Sequence, residues 1–148
     1  MFKQFNRTVW AFDVEWVPDP DTGRRLLQLP EDQPDMEVVQ AMWKAGDATE
    51  EEPMPYLKTV ICRVVSIAAV VRNLRDDGFV LLSLTSMAHH PETPVEQQEA
   101  VILSTFLNAI GDKKSQLVGF NSQRADLEIL FQRAMAKASG QGICKTSK

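Results

Sequence analysis

The sequence predicts an α/β domain, a mixed sheet with helices packed on its faces. Three observations carry that expectation. Residues 8–16 alternate apolar and polar side chains with the period of a strand, two apolar runs flanking Asp76-Asp77-Gly78 read as an antiparallel hairpin, and the remainder alternates helix-period segments with one short strand. With 148 residues, 44% of them hydrophobic, the chain suits one domain spanning 1–148 with a sizeable core. Collagen-like, coiled-coil and wholly disordered classes are excluded by composition. No apolar run nears the ~20 residues of a membrane span, and Met1 to Arg7 has no apolar leader stretch, so the expected setting is cytoplasmic with no membrane partner.

The first strand is Thr8 to Trp16, where Trp10, Phe12, Val14 and Trp16 alternate with Ala11, Asp13 and Glu15. Pro18 and Pro20 end it. Residues 18–55 hold six of the eight prolines and read as an irregular, acidic insertion containing one helix from about Pro34 to Ala45, with Val39, Met42 and Trp43 as its apolar stripe. Thr59 to Arg72 is almost continuously apolar and β-branched, the composition of a strand buried on both faces. Asp76-Asp77-Gly78 then turns the chain, with Gly78 at positive φ, into a second strand, Phe79 to Leu84. Thr93-Pro94-Val95-Glu96 has the residues of a helix start, and Leu103, Phe106, Leu107 and Ile110 give that helix its apolar face before Gly111. Gln116 to Phe120 is a short strand. Asn121-Ser122 opens a last helix with Leu127, Leu130, Phe131 and Ala134 on one face, ending in the polar tail 139–148.

Charge is unevenly distributed. The formal net charge is −4, but residues 18–55 carry 10 of the 20 acids and 3 of the 16 bases, leaving 13 bases against 10 acids, +3, elsewhere. Charge therefore does not exclude a nucleic-acid partner. Cys62 and Cys144 have no paired spacing for zinc or a disulfide framework and read as reduced, structural residues.

Two stretches carry candidate chemistry. Asp13 and Glu15 lie two apart on a strand, so both carboxylates leave one face about 7 Å apart at the backbone. Like charges at that spacing call for a counter-ion or a proton, and hard oxygen ligands suit Mg²⁺ or Mn²⁺. By themselves they also fit a strand with one wet face. Asp126 sits in the first turn of the last helix, where the helix dipole alone stabilises an acid. Asn121 also fits a turn or cap residue.

These stretches resemble a known family. Phe-Asp-Val-Glu at 12–15 and Gly-Phe-Asn-x-x-x-x-Asp-x-x-x-Leu at 119–130 resemble the first two exonuclease motifs of the DEDD family. The likeness extends to the proofreading domain of family B DNA polymerases and to stand-alone predicted 3′-to-5′ exonucleases related to it, and covers about residues 8–138. The resemblance implies a ribonuclease-H-like fold and removal of nucleotides from single-stranded DNA or RNA 3′ ends. It also implies two divalent cations, Mg²⁺ or Mn²⁺, held by carboxylates. Asp13, Glu15 and Asp126 fall on the first- and second-motif acids and are the implied catalytic and metal-binding residues, with Trp16 and Asn121 bordering the terminal nucleotide. The first strand is then central, the hairpin extends the sheet antiparallel, and the strand ending at Phe120 lies beside the first.

The sequence departs from the family in one major respect. Members carry a third motif, a Tyr or His followed by a fourth acid, after the second-motif helix; here Glu128 is the only acid after Asp126, while Tyr56, His89 and His90 come too early. The expected state is a C-terminally truncated exonuclease domain. Ala125 and Trp16 also stand where relatives carry other residue types. The competing expectation is a non-catalytic ribonuclease-H-like module binding nucleic acid or a protein.

Overall fold

The structure is a computed structural model that describes residues 6–88, 90–112, 114–120 and 122–140. Among them run β1 (Thr8–Pro18), α1 (Pro20–Leu27), α2 (Asp35–Ala45), a 3-10 turn (Thr59–Ile61), β2 (Cys62–Leu74), β3 (Val80–Ala88), α3 (Val95–Asp112), β4 (Gln116–Val118) and α4 (Asp126–Gly140). The chain divides into two compact units, one comprising Met1–Glu15 and Val64–Lys148, the other Trp16–Arg63. No helix of the described residues is long and apolar enough to cross a membrane.

The first unit is built on a four-stranded sheet in the order β3-β2-β1-β4. Gly78, at φ 82°, makes the turn joining β2 to β3, and the two strands pair antiparallel from Ser66–Ala88 to Leu74–Val80. Leu74 N–H donates to Arg7 O at 2.8 Å, and beyond the other ends of the strands Asp19 N–H donates to Ile61 O at 3.0 Å, so β1 and β2 also run antiparallel. β4 lies parallel to β1, with Val9, Trp10 and Ala11 opposite Gln116, Leu117 and Val118. This is a mixed α/β sheet with an interior first strand, as the ribonuclease-H-like resemblance implied.

One face of the sheet is the core. Trp10, Phe12 and Val14 of β1 and Val64, Ile67, Ala69 and Val71 of β2 are buried with Ile102, Leu103 and Phe106 of α3 and Ile129 and Leu130 of α4. Phe106 stands against Trp10 at 5.9 Å and Phe12 at 5.3 Å between ring centroids. Burying such a ring stabilises the fold by about 1.5–3 kcal/mol, and each aromatic pair by about 0.5–1.5 kcal/mol more.

The expectation that β2 is buried on both faces is corrected. Ala68 and Val70 are exposed, as are Leu82 and Leu84 of β3. A β-branched run reports strand propensity but not how many faces have a covering layer. Burial along β2 also slips from even to odd positions between Val64 and Ile67, the mark of a local irregularity in the ladder.

Two corrections concern α4. It begins at Asp126 instead of 121–122, after a turn in which Ser122 O accepts Leu127 N–H at 2.8 Å. Its buried face is Asp126, Ile129, Leu130 and Arg133, while Phe131 is 61% exposed. The apolar pattern misled because two inward positions, Asp126 and Arg133, are polar residues that only the folded chain draws inside.

The second unit has two short helices. α2 forms as expected, but its buried residues are Val38 and Met42, with Val39 and Trp43 half-buried. α1 was not anticipated; its first residue is Pro20, preceded by buried Asp19, whose Oδ2 accepts the Thr22 hydroxyl at 2.8 Å. The helices pack where Gly23 meets Met42 and Val38. Cys62 is buried; Cys144 and the tail beyond Gly140 lie outside the described residues.

Candidate active site

The alternation of β1 orients the first two acids. Trp10, Phe12 and Val14 are drawn into the core, so Ala11, Asp13 and Glu15 must project to the other side, and all three are exposed. Asp13 lines a shallow, open trough of about 530 Å³ with Ala11, Val70, Leu84, Val118 and Phe120. Phe120, at the end of β4, is 98% exposed. Apolar surface this open is where soluble proteins tend to bind something.

Asp126 reaches the same neighbourhood from the far end of the sequence. The pairing of β1 with β4 stops at Ala11. Three residues further along, the Val14 backbone N–H lies close enough to the Asp126 carboxyl to favour its charged form. Position also favours the acid, since it is the first residue of α4 and lies against the positive end of the helix dipole.

The Asp126 carboxyl lies within electrostatic range of Asp13 and Glu15. Asp126 is only 4% exposed, and loss of solvent is the largest influence raising its pKa above the ordinary 3.8. The negative charge of Asp13 raises it further and Glu15 adds to the effect, while the bonds from Val14 and from its own backbone pull the other way. Residues 113 positions apart in sequence thus influence one another electrostatically. Among the described residues, no three His, Cys, Asp or Glu side chains form a ready-made metal cage. The donor set, carboxylate oxygens without sulfur or imidazole, nevertheless fits a hard divalent cation, which would remove the repulsion that raises Asp126.

Trp16 is half-buried and belongs to the second unit. Asn121 lies outside the described residues. Sequence reasoning missed Phe120, although it stands inside the Gly-Phe-Asn stretch. It also missed Glu99 of α3, whose buried carboxylate accepts Val64 N–H at 2.9 Å and a bidentate pair of bonds from Arg133 of α4, each 2.7 Å. The available signal was an Arg on the apolar face of a helix, seven residues after Asp126.

Residues 54–142, more than half of the chain, match the family described as predicted 3′-5′ exonuclease related to the exonuclease domain of PolB. The match takes in β2, β3, α3, β4 and α4 with Asp126, and begins after Asp13 and Glu15. No curated protein and no solved structure matches the chain.

Proposed function

Because the chain belongs to the family of predicted 3′-5′ exonucleases related to the exonuclease domain of PolB, we propose that its acidic centre is a metal-dependent hydrolytic site for single-stranded nucleic-acid 3′ ends. Asp13, Glu15 and Asp126 are the ligands in this reading. It is supported by the placement of Asp126, buried at the start of α4 and within electrostatic range of Asp13 and Glu15 on the exposed face of β1.

Two divalent cations, when bound, activate a water, hold the scissile phosphate and stabilise the leaving 3′ oxygen. The chain's own residues supply the rest. Val14 N–H orients the Asp126 carboxyl, and the buried neighbours of Asp13 and Glu15 hold β1 so that their carboxylates stay in front of it. Phe120 offers an aromatic surface beside Asp13, suited to stacking a base irrespective of its identity.

The test is titration calorimetry with Mn²⁺ on the wild-type chain and on Asp13→Ala. We expect a binding heat in the first that is lost in the second. No heat in the wild type removes the metal-dependent reading. If single-stranded DNA still binds with salt-dependent affinity, unchanged when all three acids are replaced, the chain is the non-catalytic module.

A further inference from the structure

We propose that Glu99 and Arg133 are positioning residues, which set the rotation of α4 and thereby aim Asp126 at β1; the consequence for metal binding rests on the function proposed above. The Glu99 carboxylate is surrounded by donors from two other elements. Val64 N–H reaches Oε1 at 2.9 Å, Arg133 Nε and Nη2 reach Oε1 and Oε2 at 2.7 Å each, and Lys137 Nζ lies 3.2 Å from Oε2. Glu99 is 5% exposed and Arg133 8%. The bond to Val64 falls where the burial alternation of β2 slips, so it tethers α3 to an irregular point of the sheet.

Hydrophobic burial has no direction of its own, so the rotation of an apolar helix face on a sheet is set by side-chain shape and not by the burial itself. A two-bonded guanidinium–carboxylate pair is directional. Arg133 follows Asp126 by seven residues, two helical turns, and so lies on the same side of α4. Fixing Arg133 on Glu99 therefore fixes the direction in which Asp126 leaves the helix. Replacing a buried ion pair by apolar groups often leaves stability unchanged, which makes orientation the distinguishing contribution of this pair.

The variant that separates orientation from stability is the double substitution Glu99→Gln with Arg133→Met. Gln retains an acceptor for Val64 N–H, Met retains most of the Arg133 stem, and Lys137, 30% exposed at its side chain, can turn to solvent. Three quantities are measured in wild type and variant: the melting temperature, hydrogen exchange of the Val14 amide relative to Phe12, and Mn²⁺ affinity. The proposal expects the same melting temperature within about two degrees, Val14 exchange at least tenfold faster with Phe12 unchanged, and Mn²⁺ affinity at least tenfold weaker. Unchanged Val14 exchange overturns it. So does a uniform rise in exchange with a lower melting temperature, because the pair is then only a stabilising contact. If wild type binds no Mn²⁺ the metal reading fails by itself, and the Val14 amide still decides the positioning role.

Discussion

At the scale of single residues, Asp126 links folding to the candidate chemistry. Its pKa is raised above 3.8 by burial first and by Asp13 and Glu15 next. A raised folded-state pKa means that the protonated form is favoured by folding. The associated stability is fully present below the unfolded value and is lost as pH rises through the folded value. Without divalent cations, wild type should therefore lose melting temperature over that window. Asp126→Asn, which can still accept the Val14 N–H, should lack that part of the loss and melt higher at pH 7, converging with wild type at low pH. Equal pH profiles for the two proteins would contradict the raised value of Asp126. Asp13 and Glu15 were legible in the sequence because strand alternation is local. Asp126 could be singled out there only by resemblance, since its nearness to Asp13 depends on β4 pairing parallel with β1.

At the scale of elements, packing decided what periodicity left open. The predicted stripe of α4 was rotated because Arg133, a charged residue by composition, is an inward one by its partner Glu99. α1 escaped notice because it has eight residues and a glycine near its middle. That glycine has a packing reason. A Cβ on Gly23 would meet Val38 Cγ1 at 2.8 Å and Met42 Sδ at 2.5 Å. Gly23→Ala should therefore destabilise the α1–α2 pair by about 1–3 kcal/mol despite the higher helix propensity of alanine. Denaturant unfolding of the chain checks this, and a stabilised variant would show that α1 and α2 can separate at no cost.

At the scale of the whole molecule, charge is segregated along the chain. Glu50, Glu51 and Glu52 are exposed and belong to the acidic 18–55 stretch. Replacing all three by Gln moves the net charge from −4 to −1. If they act only through the long-range field, affinity for a single-stranded oligonucleotide should rise a few-fold at about 10 mM salt, and not at 1 M, where screening acts within ~3 Å. A change that persists at high salt, measured by fluorescence anisotropy, would mean direct contact.

The sequence by itself determined what short-range physics dictates. The period-two face of β1 carries Asp13 and Glu15, the Gly78 turn joins β2 to β3, and α3 and α4 are amphipathic. Tertiary structure decided the remainder. It brought Asp126 within electrostatic range of Asp13, left one face of β2 and the whole Val80–Leu84 stretch of β3 exposed with Phe120, and turned α4 so that Arg133 is buried on Glu99. The division has one physical cause. Backbone propensity and side-chain alternation act between residues a few positions apart, whereas desolvation, charge repulsion and burial depend on neighbours that only the folded chain assembles.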